Sequence, residues 1–299
     1  MIAQNIPGHL LATARTGLLT ARRDIKPLWS RVATEMTLGK AAEDLVDLGG
    51  APMPKRSLGG MTAQDFIEKQ LRVAPVDWDI TVWISYNAVA DDQTGVLERR
   101  VKNAVMNFDK HVNKLVFDAI NSGGSIGSYG ATYDGLALFS ASHADKGAAY
   151  STAQSNVNTL SLTVANFDTV YASASLYKDD QGEEIGVVPN LMIVPPAQKY
   201  NAAQVAANER VAGTANNDIN PYNGEISYIV VPWMDSTSWY LVSANEDSKP
   251  LMVVMRERPN LQSAWFDPAK PDGGHYYFKY FARYQVAYGD WRLITQGNT

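Results

Sequence analysis

The sequence predicts an α+β protein, and three stretches carry that prediction. GVLERRVKNAVMNFDKHVNKLVFDAIN, residues 95–121, has helical periodicity with no internal glycine or proline. WDITVWISYNAV (78–89) and HYYFKYFARYQVAYGDWRLITQG (275–297) alternate as strands do. Between them, from about Val157 to Arg258, amphipathic helical segments interleave with short apolar runs.

The long helix places Leu97, Val101, Ala104, Phe108, Val112, Leu115 and Ala119 three or four residues apart, along one face. Asp91 and Asp92 precede it as cap and dipole partners, and Gly123 and Gly124 end it. At 1.5 Å per residue it spans roughly 40 Å. A broad flank of Val105, Val116 and Ile120 suits packing on a sheet at least as well as a coiled coil.

Ahead of this strut, PGHLLATARTGLLTARRD and PLWSRVATEM read as two helices, the second with Pro27 in its first turn. LGGAPMPKRSLGG, Leu48 to Gly60, is too rich in glycine and proline for a regular element and reads as an exposed excursion. A short helical turn at TAQDFIEKQ follows, then the strand with Ile80, Val82 and Ile84 on one side and Thr81, Trp83 and Ser85 on the other. Excursion and strand suggest the arms of an extended hairpin.

After the strut, LTVANFDTVYASASLYKD is a helix with Thr163 as N-cap, GVVPNLMIVPP holds a buried strand at Leu191 to Val194, and AQKYNAAQVAANERV is another helix. The turn-rich AGTANNDINPYNGE leads to ISYIVVPWM, SWYLVSA and PLMVVMRER, three strands expected in one mixed or antiparallel sheet. The C-terminal run is expected to form two long strands, with Tyr276, Phe278 and Tyr280 facing away from Tyr277, Lys279, Phe281 and Arg283.

Composition narrows the function. Hydrophobic residues make up 45% of the chain and charged ones 19%, enough for a sizeable core. With no cysteine, disulfides, thiolate zinc sites and a cysteine nucleophile are excluded. His9, His111, His143 and His275 have no ligand spacing, so no metal site and no cofactor is expected. No run of about 18 apolar residues or signal-peptide core is present, so no membrane partner is expected. The net charge is -5, with no basic run longer than Arg22-Arg23 or Arg99-Arg100, which argues against sequence-specific nucleic-acid binding.

Three local motifs invite chemistry. DGLALFSASHAD (134–145) sets Ser140, Ser142, His143 and Asp145 close together. Hydrolytic triads draw their members from separate parts of a chain, and neither serine has the flanking glycines of a nucleophile elbow. GGSIGSYG lacks the Gly-Lys-Ser/Thr ending of a phosphate loop and follows a helix. Asp179, Asp180, Glu183 and Glu184 bracket Gly182 but miss the ligand spacing of a calcium loop, and a solvated turn is expected.

Taken in order, DDQTGVLERRVKNAVMNFDKHVNKLVFDAIN, YDGLALFSASH, LTVANFDTVYASASLYKDDQGEEIGVVPNLMIVPPAQKYNAAQV and YQVAYGDWR resemble the tailed-bacteriophage major capsid protein, with the Mu-like prophage major head subunit as the subgroup. The resemblance covers most of residues 20 to 299. The Asp-Gly-x-x-Leu-Phe-Ser-x-x-His block and PNLMIVPPA are its most specific pieces.

That resemblance implies the Hong-Kong-97-type fold: an N-terminal arm (1–45), an extended E-loop (46–89), a peripheral domain (90–155) with spine helix 95–121, an axial domain (156–258), and C-terminal strands (259–299) completing the peripheral domain. It implies no enzyme but a head subunit that self-assembles into the icosahedral shell around the double-stranded DNA of a tailed phage or prophage. His143 then organises a loop rather than acting as a base. Implied partners are further copies as hexamers and pentamers, a scaffold protein, a portal, a decoration protein and DNA bound without sequence preference. Implied localisation is the virion capsid, assembled in the bacterial host cytoplasm.

With only a short arm after Met1, scaffolding is expected to fall to a separate protein. Met53, Lys55, Leu58, Met61, Trp78 and Trp83 are the candidate assembly contacts. Lys55 and Lys69 have no identifiable asparagine and glutamate partners, so no covalent cross-link is expected. The mild negative charge suits a container that must not grip its DNA. The alternatives are an encapsulin-type nanocompartment shell of the same fold and, more distantly, a serine hydrolase using Ser140 or Ser142 with His143.

Overall fold

The structure is a computed structural model that describes residues 27–39, 43–48, 68–85, 96–144, 150–210, 218–235, 237–245, 249–266 and 275–298. Two sheets organise them. One has four strands in the order β1-β9-β10-β4, formed by β1 (Ala33–Thr37), β4 (Val76–Ser85), β9 (Leu251–Phe266) and β10 (His275–Tyr288). The other has five in the order β5-β11-β8-β6-β7, formed by β5 (Val157–Asn158), β6 (Leu191–Val194), β7 (Ser227–Val230), β8 (Ser238–Val242) and β11 (Ile294–Asn298). β2 (Glu43–Leu48) and β3 (Glu68–Val73) pair antiparallel as a separate ribbon. The helices are α1 (Val96–Asn121), α2 (Val164–Ser175) and α3 (Lys199–Ala206).

Helix α1 matches the long amphipathic segment in extent, and from Phe108 onward in its buried face. Phe108, Val112, Leu115, Val116, Phe117, Ala119 and Ile120 are buried in one core with Tyr276, Phe278, Tyr280, Ala282, Tyr284 and Val286 of β10. The alternation of β10 is what makes this possible, because every second side chain from Tyr276 to Val286 is buried in that core. Burying a side chain such as Phe117 or Phe278 contributes about 1.5–3 kcal/mol. Asn113, also buried, accepts the Trp29 backbone N–H at 2.9 Å and so fixes the chain entering β1.

Among the described residues, the opposite face of the four-stranded sheet is covered at one end only. Leu38 and Val73, with Leu71, pack on Met252, Val254 and Ala287. Further along, the same face carries Asp77, Asp79, Thr81 and Trp83 of β4 beside Tyr277, Lys279, Phe281 and Arg283 of β10.

The five-stranded sheet is packed on both sides. Phe167 and Val170 of α2 and Ala202 and Val205 of α3 lie on Met192, Val194, Trp239 and Leu241. Leu191, Ile193, Tyr240, Val242 and Ile294 belong to the core that contains α1. Thr163 caps α2 as expected, its hydroxyl accepting from the Asn166 N–H.

Several expectations are corrected. PLWSRVATEM is one 3-10 turn, Leu28–Arg31, followed by strand β1, not a helix. Val32, Thr34 and Thr37 are β-branched, and pairing with Leu251–Met255 of β9 satisfies this backbone. The end of TAQDFIEKQ, from Glu68, is strand β3 because it pairs with β2. The three consecutive strands do not share a sheet: β7 and β8 lie in the five-stranded sheet, whereas β9 leaves it to pair with β10.

The C-terminal run is one long strand and one short strand. Gly289 and Asp290 interrupt it, Asp290 capping a 3-10 turn at Trp291–Leu293, after which β11 enters the five-stranded sheet instead of completing the other. Asp180 is buried, so the acidic turn is not simply solvated. Asp179 holds it by accepting the Gln181 and Glu183 N–H groups at 2.9 Å. The expected helix at 7–24, the excursion at 49–60, and Asp91 and Asp92 lie outside the described residues.

Candidate functional site

The Asp134–His143 stretch follows α1 after an intervening loop, and its Asp134, Leu138, Phe139 and His143 side chains are buried. His143 Nδ1 is 2.6 Å from Asp134 Oδ2, and both side chains are out of solvent. The other ring nitrogen, Nε2, is 3.2 Å from the Leu138 carbonyl, to which it donates. The ring stacks on Trp291 with centroids 4.1 Å apart and planes 5° from parallel.

Asp134 has further partners. Its Oδ1 accepts the Thr132 hydroxyl at 2.5 Å and the Leu136 N–H at 3.0 Å. Burial alone would raise the pKa of this carboxyl, but the hydrogen bonds from His143, Thr132 and Leu136 outweigh it and hold the pKa below the ordinary aspartate value.

This geometry removes the hydrolase reading. A general base must present a ring nitrogen to its nucleophile, and here both nitrogens face other groups. Ser140 Oγ instead lies 3.4 Å from Ser142 Oγ.

Asn156, fully buried, completes the junction. Its Oδ1 accepts the Ser140 N–H at 3.0 Å, and its Nδ2 is 2.7 Å from the Leu138, 3.3 Å from the Trp291 and 3.2 Å from the Ile294 carbonyl. Loop 132–143, the turn before β11 and β11 itself are thereby held together. Tyr177 packs edge-on against Trp291 and bonds Thr295 Oγ1 at 2.9 Å, with burial pushing its phenol up to about 12. Neither Asn156 nor Trp291 was singled out from sequence, since the contacts that join Asn156 to Trp291 and Ile294, and Trp291 to His143, span more than a hundred positions.

A second tie between the layers lies at an open cleft of about 470 Å³ lined by Arg31, Asn190, Glu225, Ser227 and Lys249. Arg31 donates to Ser227 Oγ at 2.8 Å, and Lys249 to the Ser30 carbonyl at 2.5 Å.

Of the candidate assembly residues, Met53, Lys55, Leu58 and Met61 lie outside the described residues. Trp78 is held within its own subunit: its indole N–H donates to the Tyr284 carbonyl at 3.0 Å and its ring lies 4.4 Å from that of His111. Trp83 is different, being 63% exposed on the uncovered face, edge-on to His275 at 4.8 Å.

A long helix across a sheet of extended strands, joined through a buried polar junction to a second, helix-flanked sheet, is the Hong-Kong-97-type architecture of viral shell proteins. The chain is similar to the procapsid protein of bacteriophage JBD30 (TM-score 0.57, 16% identity, 98% of this chain and 76% of that one). It is similar as well to the structure of Mycobacterium phage Patience (TM-score 0.57, 9% identity, 99% and 89%) and to a virus-like particle from Pyrococcus furiosus (TM-score 0.55, 10% identity, 96% and 98%). No curated protein sequence matches. The family described as phage capsid protein matches residues 68–295, and the chain belongs to that family. It is a major capsid protein, a subunit of the phage head shell.

Proposed function

We propose that this chain is the head subunit of a Mu-like tailed phage or prophage, assembling as hexamers and pentamers around double-stranded DNA. The family match across residues 68–295 carries the reading, because it takes in the spine helix, the buried junction and most of both sheets. In this reading the four-stranded sheet with α1 is the peripheral layer, the five-stranded sheet the axial layer, and the β2–β3 ribbon the base of the E-loop. The subunit is assembled in the bacterial host cytoplasm with a scaffold protein and a portal, and a decoration protein binds the finished shell.

Its chemistry is mechanical. Many weak contacts repeated per subunit give a stable shell without any single strong interface. An encapsulin-type compartment shell of the same fold is the second, less favoured reading.

The test is negative-stain electron microscopy of the chain expressed alone, followed by nuclease treatment of particles from a phage-producing host. Closed shells, tubes or rings support a coat protein, and protected genome-length DNA supports the phage head. Particles from that host that hold a protein cargo and no protected DNA would overturn the head assignment in favour of the compartment.

A further inference from the structure

The far edge of β4 carries no paired strand among the described residues, because β4 is the outermost strand of its sheet. At ten residues, it is long enough for a full ladder. Exposed edges of this kind are usually guarded by charge. Here the guard covers one half: Asp77 pairs with Arg283 at 2.5 Å and Asp79 with Lys279 at 3.3 Å, while Thr81 to Ser85 carry no charge. The unguarded half holds Trp83, 63% exposed.

We propose that β4 is a two-fold contact between copies of this chain, pairing antiparallel with itself about Thr81 and fusing two four-stranded sheets into one. Side-chain period and charge select the partner and the register. An antiparallel pairing matches buried face to buried face only when residues of the same parity oppose each other. Among such registers, a two-fold at Asp79 sets that carboxylate against itself, and one at Trp78 sets Asp77 against Asp79, both opposed by like-charge repulsion.

A two-fold at Ile80 brings Pro75 opposite Ser85, where the missing N–H breaks the ladder. Centring on Thr81 leaves Pro75 outside and pairs residues 77–85, whereas a two-fold at Val82 or Trp83 shortens the ladder within β4 to 79–85 or 81–85. The Thr81 register sets Ile80 against Val82 and Trp78 against Ile84 on the buried face, with Thr81 against Thr81 and Trp83 against Asp79 on the other. The indole N–H of Trp83 then meets a carboxylate whose charge Lys279 already offsets. An isologous contact needs this one surface only.

The absence of cysteine makes the test clean. Thr81→Cys places two thiols on the two-fold, with Cα atoms about 4.5–5.5 Å apart, within disulfide range. Asp77→Cys puts them eight residues out of register, about 27 Å apart. Each full-length variant is oxidised mildly and run on a non-reducing denaturing gel, both as particles verified by electron microscopy and as soluble chain.

Conversion of T81C, but not D77C, from monomer to dimer band in either sample supports the contact. T81C remaining monomeric in both, or D77C dimerising equally well, overturns it. The inference takes from the shell reading only that copies meet, so missing particles count against that reading, whereas a missing T81C dimer counts against the edge contact. Thr81→Lys, which sets two ammonium groups face to face, should abolish the contact, and reducing agent should return T81C to monomer.

Discussion

Trp239 and Gly297 oppose each other across β8 and β11, and a Cβ on the glycine would lie 2.2 Å from the indole. The ring cannot retreat easily. Trp239 is fully buried and its N–H is fixed to the Leu160 carbonyl at 2.9 Å. Gly297→Ala should therefore cost about 2–3 kcal/mol through overpacking. Gly124→Ala, with nothing near the new methyl group, should stay within about 0.5 kcal/mol. Urea denaturation midpoints compare the two.

His143→Ala should be the more damaging change at the junction, because it leaves a buried carboxylate without its main partner, at about 3–5 kcal/mol. In a double-mutant cycle with Asp134→Asn, the two losses should couple by at least about 1 kcal/mol. Additive losses would show that the pair does not act as a unit. Ser142→Ala should leave stability within about 0.5 kcal/mol, and a fluorophosphonate probe should label neither serine.

Asp134 also sets an acid limit. Its folded pKa lies below the ordinary 3.8, so the native state binds fewer protons than the unfolded chain between those two values. The stabilisation is complete above about pH 4 and lost as pH falls through the folded pKa. Unfolding measured from pH 5 down to pH 2 should show the gap between wild type and Asp134→Asn closing at the acid end.

His111 gives a second window. Burial and then Lys114 lower its pKa from 6.5, with Asp118 pulling the other way, while Tyr284 Oη lies 2.7 Å from Nδ1. The neutral ring is therefore the favoured native form. Its contribution is complete above about pH 6.5 and lost as pH drops through the folded value. The His111 resonance should titrate below 6.5 by NMR, and His111→Gln should flatten the stability profile in that interval.

Asn156→Ala removes the donor to three carbonyls and the acceptor for the Ser140 N–H. With those groups buried, the expected loss is about 3 kcal/mol, seen as a lower thermal midpoint.

Local signals made much of this legible in sequence. α1, α2 with its Thr163 cap, β4 and β6 each stand on periodicity or capping within a few residues. β1 was misread because its partner strand lies more than two hundred residues away, and no local pattern records a parallel pairing at that distance. The sheet membership of β9 and β11 failed likewise, since β-branched runs announce strands but not neighbours. At the junction, the missing flanking glycines argue against a nucleophile elbow. The stack on Trp291 and the grip of Asn156 exist only once the chain returns to this point.

That return has a consequence for timing. β11 lies between β5 and β8, inside the five-stranded sheet, although it is the last strand in chain order. A nascent chain halted anywhere before residue 294 lacks an interior strand and leaves the edge of β8 bare. A shell repeats the same subunit contacts many times, so a chain lacking that strand would carry its defect into each contact it makes. Placing a late strand at an interior position withholds the finished sheet until those residues have been translated, and a chain truncated before them should therefore fail to assemble.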